Sequence, residues 1–192
     1  MDEKLARGVS LGVQLQHALR FAAESHRGQS YGSNGLPYLL HLSQVLCELS
    51  VAEREAPSVH PALTLLCGVL HDTVEDTAVT CEELAERFGP PVAAGVAALS
   101  KDPSLSGRAA LLDSLERIEK QPREIWRVKL ADRISNLQPP PGHWSREKQR
   151  AYCDEAELIL SRLGVASRPL AERLRSAIET YRRAISEARD TP

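Results

Sequence analysis

Four side chains able to bind a metal or move protons, His71, Asp72, Glu75 and Asp76, crowd into the stretch "GVLHDTVEDT" between Gly68 and Thr77. An imidazole next to a carboxylate is a ready pair of ligands for a divalent cation, and neighbouring carboxylates can act as general acid or base. The run leading in, "LLCGVL" (Leu65 to Leu70), is apolar and expected to be buried. Ionised carboxylates cost several kcal/mol each to bury unless a cation or strong donors compensate. A His-Asp pair alone reads as a solvated helix end with an incidental histidine. Behind an apolar run, HDTVEDT points instead to a bound divalent ion.

On one continuous helix turning about 100° per residue, Glu75 lies about 40° from His71, Asp72 about 100° and Asp76 about 140°. Leu63, Leu66, Cys67, Val69 and Leu70 take the other half, and Gly68, about 60° from His71, leaves a gap on the polar side. A second segment, "WRVKLADRISNL" (Trp126 to Leu137), follows the same logic. With Asp132 at zero, Asn136 falls at about 40°, Lys129 at about 60° and Arg133 at about 100°. Val128, Leu130, Ala131, Ile134 and Leu137 form the apolar back. The plain alternative is an amphipathic helix with a solvated face. His26 in "SHRGQ" and His41 in "PYLLHLSQVL" remain; His41 alone reads as a neutral core histidine, yet the site still lacks nitrogen ligands.

The elements that must position these groups are helical. "VQLQHALRFAAES" spaces Leu15, Leu19 and Ala22 by helical steps. "TCEELAERFG" opens with a Thr80–Glu83 capping box and stops at Gly89 before Pro90 and Pro91. Leu170, Leu174, Ala177, Ile178, Tyr181 and Ile185 form a core-facing stripe behind Ser167 as N-cap. "GQSYGSNGLP" (Gly28 to Pro37) and "KDPSLSG" (Lys101 to Gly107) are loops, and "PPPG" (Pro139 to Gly142) breaks the chain. The expectation is an all-α bundle of about eight helices with two functional loops. One domain spans 1–192, with its core over about 12–140 and C-terminal helices over about 144–188.

Composition narrows the function. The 192 residues carry a formal charge of −2, so no overall field should draw the chain to nucleic acid or to an anionic membrane. A polyanionic ligand would need a local basic patch. Four scattered cysteines lack CxxC spacing, and Cys47 and Cys67 read as small buried thiols. No leader or membrane-length apolar span is evident, which makes a cytoplasmic, reduced protein the default expectation.

Taken together, "HRGQ" (His26 to Gln29), "PYLLH" (Pro37 to His41), "LLCGVLHDTVEDT" (Leu65 to Thr77) and "VKLADRISNL" (Val128 to Leu137) resemble the HD-domain hydrolases of the RelA/SpoT alarmone family. The likeness is greatest to the small, hydrolase-only members, including the metazoan type. It runs from about Leu15 to Leu137 and more loosely into "HWSREKQRAYCDEAELIL". The length leaves no room for a synthetase domain, so a hydrolase-only protein is expected.

The resemblance implies a metal, usually Mn²⁺, held by His41, His71, Asp72 and Asp132. It implies hydrolysis of the 3′-pyrophosphate of guanosine 3′,5′-bispyrophosphate to pyrophosphate and GDP or GTP. Glu75 and Asp76 match positions that handle the attacking water and its protons, and Asn136, Lys129 and Arg133 match the strip beside the substrate. Two imidazoles and two carboxylates also suit Zn²⁺, Fe²⁺ or Co²⁺, and ligand types alone do not choose among them. Lys129, Arg27 and Lys101 would balance the phosphates.

The sequence departs from the family at one informative place. Where most members carry an Arg-Lys pair after HxGQ, this chain reads Ser30, Tyr31 and Gly32, which makes Tyr31 the candidate to stack on a base. A second departure, Leu42 in place of proline after His41, suits a helix. The alternatives are therefore an adenine alarmone, the 2′-phosphate of NADPH, or a nucleoside monophosphate. A non-catalytic nucleotide-sensing HD module is the reading from another class.

Overall fold

The computed structural model describes residues 10–32, 35–140 and 143–187. Ser33 and Asn34 of the first loop, Pro141 and Gly142 of the proline run, and position 188 of the expected C-terminal helices lie outside those described. Ten α-helices occur among the described residues, one of them a single turn. They are α1 (Leu11–Ser25), α2 (Leu39–Glu55), α3 (Pro61–Leu70), α4 (Thr73–Asp76), α5 (Cys81–Phe88), α6 (Pro90–Leu99), α7 (Gly107–Glu119), α8 (Arg123–Asn136), α9 (Arg146–Leu163) and α10 (Arg168–Glu187). The fold is all-α, as the periodicity requires. Two short strands, β1 (Ser30–Tyr31) and β2 (Leu36–Pro37), pair antiparallel inside the expected Gly-rich loop, Ser30 opposite Pro37 and Tyr31 opposite Leu36.

Helices α2, α3 and α8 pack on one another at the centre. Helix α1 covers α3, the α5–α6 pair closes one side, and the α9–α10 pair leans on α8. Leu42, Leu49, Leu70, Leu115, Ile125 and Leu130 are wholly buried between them. Fully burying such a side chain is worth about 1.5–3 kcal/mol. The start and stop signals work as read. Thr80 Oγ1 accepts the Glu83 N–H at 3.2 Å, Gly89 at φ 93° ends α5, and Ser167 Oγ accepts the Leu170 N–H at 3.5 Å. Along α10, Leu170, Leu174, Ile178, Tyr181 and Ile185 are buried. Among the described residues no helix is long and apolar enough to cross a membrane.

Three sequence expectations fail for identifiable reasons. The helix through His71 is not continuous: α3 ends at Leu70, and His71–Asp72 form a turn before the single turn of α4. Side chains take the last carbonyls of α3, His71 Nδ1 reaching Gly68 O at 3.0 Å and Thr73 Oγ1 donating to Leu70 O at 2.7 Å. Gly68 is not a gap on a polar face either. A Cβ there would stand 2.3 Å from Leu49 Cδ1, so its missing side chain lets α2 and α3 approach closely. Cys47, expected buried, is exposed on α2, while Cys67 is buried and burial pushes its thiol pKa up to about 12.

Candidate metal centre and active site

Helix α8 is buried on its polar face as well as its apolar one: eleven of its residues are buried, including Arg127, Lys129, Asp132 and Arg133. That rules out the solvated amphipathic helix. Its carboxylate Asp132 meets the start of α2 and the turn after α3. His41 Nε2 lies 3.2 Å from His71 Nε2, 3.3 Å from Asp72 Oδ2 and 3.5 Å from Asp132 Oδ1. His71 Nε2 lies 2.9 Å from Asp72 Oδ2 and 3.7 Å from Asp132 Oδ1.

Those spacings fit one divalent ion. Donors about 2.1 Å from a common centre stand roughly 3.0 Å apart at right angles and roughly 3.4 Å apart at the tetrahedral angle. The outer nitrogens of both rings are already engaged. His71 Nδ1 donates to Gly68 O at 3.0 Å; the Ser135 hydroxyl donates to Gln44 Oε1 at 3.0 Å and accepts from His41 Nδ1 at 3.0 Å. With the Nδ1 protons so placed, both Nε2 lone pairs face the same point, an arrangement that repels itself unless a cation sits between. Burial disfavours a charged His71, but the Asp72 and Asp132 carboxylates outweigh it and push its pKa up to about 10. The site therefore draws positive charge inward, as a proton or as a metal.

The carboxylates are held in turn. Asp132 Oδ1 accepts from Asn136 Nδ2 at 2.6 Å and Oδ2 from Lys129 Nζ at 2.9 Å. Burial alone would raise the Asp132 pKa, yet Lys129 and His71 hold it well below the usual carboxylate range. Asp72 is lowered in the same way, against burial, by His71 and His41. Burial, Asp72 and Glu75 together raise the pKa of Asp76, which favours its keeping a proton.

A cavity of about 580 Å³ opens beside these groups, walled by Glu75, Asp76, Lys101, Lys129, Arg133 and Asn136 among others. Each has a partner of its own. Glu75 is clamped to the α6–α7 loop, Oε1 by Lys101 Nζ at 2.7 Å and Oε2 by the Lys101 N–H at 2.8 Å. Lys129 and Asn136 both engage Asp132 rather than standing free for a ligand. Arg133 reaches Glu155 at 3.4 Å and stacks over Tyr152, with Nη1 buried and unpartnered. Arg27 is exposed and lines neither this cavity nor the next one, because the turn after α1 directs it to solvent.

A second cavity, of about 530 Å³, shares Asn136 and Tyr152 with the first, and none of the described residues in its wall is charged. Tyr31 lines it, but its ring stacks on His41 with centroids 5.0 Å apart, and its hydroxyl donates to Ser135 O at 2.8 Å. It is built into the frame of the site rather than held out on a loop. Sequence reasoning missed the outer supports Tyr38, Gln44 and Ser135. The available signal was proximity in sequence: Tyr38 precedes His41 by three residues, Gln44 follows it by three, and Ser135 adjoins Asn136.

The HD domain family matches residues 18–171. A zebrafish (Danio rerio) protein named guanosine-3′,5′-bis(diphosphate) 3′-pyrophosphohydrolase MESH1 is 33% identical over 165 residues, covering 83% of this chain and 89% of its own length. A GTP pyrophosphokinase of Myxococcus xanthus is 34% identical over 172 residues, but the match spans only 20% of that longer protein. Among solved structures, one described as a metazoan ortholog of SpoT that hydrolyzes ppGpp superposes with a TM-score of 0.76 at 27% identity, covering 87% of this chain and 94% of that one. The chain belongs to the HD-domain family, in the branch of the RelA/SpoT-type hydrolases.

Proposed function

We propose that this protein is a metal-dependent pyrophosphohydrolase that removes the 3′-pyrophosphate from guanosine 3′,5′-bispyrophosphate or its 5′-triphosphate counterpart, releasing pyrophosphate and GDP or GTP respectively. One observation carries the reading: two Nε2 lone pairs and two carboxylates converge at the edge of a cavity walled by both acids and cations. The MESH1 relative, matched over most of its length, bears that activity in its name.

His41, His71, Asp72 and Asp132 would hold the ion, Mn²⁺ by preference over Zn²⁺, Fe²⁺ or Co²⁺. When bound, it supplies Lewis acidity towards the phosphoryl oxygen and lowers the pKa of water. Glu75 and Asp76 then divide the proton work. Glu75, released from Lys101, accepts the proton of the attacking water, and Asp76, whose pKa is raised, gives one to the departing oxygen. Lys101 exchanges its carboxylate partner for the substrate's phosphate, and Arg133 Nη1 is a further free donor. Lys129 and Asn136 act by fixing Asp132. This reading takes 1–192 as one HD-type unit in the cytoplasm, with a small-molecule nucleotide as its partner and neither nucleic acid nor membrane.

The adjoining uncharged cavity, with Tyr31, Trp144 and Tyr152 in its wall, suits a flat base. Its lack of a cation favours a second reading, in which adenine 3′-pyrophosphates are accepted alongside guanine ones. The test incubates protein and Mn²⁺ with ppGpp, ppApp, NADPH and GMP and resolves the products by chromatography. Pyrophosphate from ppGpp is expected, with ppApp slower by no more than about 10- to 200-fold, because uncharged contacts discriminate by only about 1–3 kcal/mol. Orthophosphate as the product would transfer the assignment to a monophosphatase. Tight binding without turnover would make the protein a sensor.

A further inference from the structure

The HRGQ motif and the tyrosine of PYLLH stand outside the ligand set, yet the structure ties both to the site's two outer acids. Tyr38 donates its hydroxyl to Asp72 Oδ2 at 2.6 Å, and Asp76 Oδ2 stands 3.2 Å from the Tyr38 hydroxyl oxygen. Asp72 Oδ2 is the very oxygen that faces both Nε2 atoms. Tyr38 is itself held from behind. His26 stacks on its ring with centroids 4.6 Å apart and 19° between planes, and the Tyr38 N–H donates to Gln29 O at 3.1 Å. Gln29 closes the loop: its Oε1 accepts from His26 Nδ1 at 2.7 Å and its Nε2 donates to Asp76 O at 2.7 Å.

Six links thus join a turn after α1 to the metal-facing carboxylate and the outer acid; Tyr38, Asp72 and Asp76 border the cavity, whereas the bracing His26 and Gln29 stand behind them and do not line it. Among the described residues His26 Nε2 is buried without a partner, so the ring is held by its Nδ1 bond to Gln29 and its stack on Tyr38. Carboxyl side chains on successive turns have free rotamers, and a hydroxyl shared between them restricts both.

We propose that Tyr38 is a positioning residue: its hydroxyl, braced by the His26–Gln29 turn, fixes the orientation of Asp72 towards the metal and the separation of Asp72 from Asp76. This rests on the metal-site reading above. Tyr38→Phe keeps the ring and its stack on His26 while removing the one donor. Supports of this kind are worth 10- to 100-fold in metal affinity or activity. Mn²⁺ affinity, measured by electron paramagnetic resonance and calorimetry, is therefore expected to fall roughly tenfold in Tyr38→Phe. At saturating Mn²⁺, kcat should fall by a similar factor because Asp76 is released, with KM for the nucleotide unchanged.

Gln29→Ala should give a smaller loss with the same kcat-only pattern, and Gln29→Glu, which keeps an acceptor for His26, should recover part of it. A Tyr38→Phe protein matching the unsubstituted one within twofold in both Mn²⁺ affinity and kcat overturns the proposal. So does a change confined to KM. Failure of the unsubstituted protein to bind Mn²⁺ would instead remove the metal-site reading on which it stands, so the two failures are separable.

Discussion

Helix α8 carries two buried ionic clusters less than two turns apart, and they behave oppositely. Towards its N-terminus Arg127 donates to Glu53 Oε1 at 2.7 Å, to Ala56 O at 2.9 Å and to Ala166 O at 3.1 Å, while Glu53 Oε2 accepts the Ser58 N–H at 2.7 Å. Glu124 alongside accepts the His60 N–H at 2.9 Å. Arg127 and Glu53 pair charge for charge, each with further hydrogen bonds to backbone, and the cluster pins the ends of α2 and α3. Towards the C-terminus two imidazoles and two carboxylates gather with their lone pairs facing one another beside a cavity. Burial of charge is common to both. Convergence of two imidazoles and two carboxylates on one point, where a proton on His71 or a metal must supply the positive charge, is what marks the second as the site.

Substitution should separate the two most sharply. His71→Ala or Asp132→Ala, which would remove one of the proposed metal ligands, is expected to lower kcat/KM by on the order of 10³-fold or more while the fold survives. Arg127→Ala should do the reverse. It leaves Glu53 buried and unpaired at a cost of about 3–5 kcal/mol, with kcat of the protein still folded near that of the unsubstituted enzyme. Thermal melts paired with assays check both, and equal activity losses in the two clusters would erase the distinction.

Proton release offers a finer test. His71, with a pKa of about 10 in the metal-free protein, is protonated at neutral pH and must give that proton up to bind an ion. Calorimetry in buffers of different ionisation enthalpy should find about one proton released per metal near pH 7. Affinity should rise about tenfold per pH unit towards pH 10 and level off above it. The sign for stability is opposite: a raised pKa stabilises the metal-free protein below the unfolded value of about 6.5, and the gain is lost as pH rises to about 10. No comparable release is expected from the Arg127 cluster on metal addition.

The smallest effect concerns spacing. Gly95→Ala would set a Cβ 2.5 Å from Ile125 Cδ1 and 2.9 Å from Cys67 Sγ, near neither cluster's polar groups. It should cost about 1–3 kcal/mol in denaturant melts and leave metal affinity untouched.

Much of the site could be read before any coordinates because it depends on residue type. An apolar run ending in His71 and Asp72, and a second strip centred on Asp132, each advertise a charge that needs a reason to be buried. What sequence did not disclose depends on side chains satisfying backbone groups. The break after Leu70 arises because His71 and Thr73 take α3's terminal carbonyls, and a helical wheel assumes those bonds stay in the backbone. Tyr31 was a plausible stacking residue by position, but its hydroxyl found the Ser135 carbonyl across 104 residues of chain. Arg27 and Cys47 follow helical or loop patterns that do not say which way the element faces the core. The Arg127–Glu53 pair, 74 residues apart in sequence, leaves no local trace.

The contact at Gly68 has a consequence for ion choice. His41 rides on α2 and His71 follows directly after α3, and between the two helices Leu49 fills the place of a side chain at position 68. A hydrogen atom at one α-carbon thereby acts as a gauge block for the gap between the two imidazoles. A methyl group there must be met by Leu49 turning its side chain or by α2 and α3 moving apart. In the second case Gly68→Ala would spread the two imidazoles and favour larger ions over compact Zn²⁺, read as a rise in the ratio of Mn²⁺ to Zn²⁺ affinity.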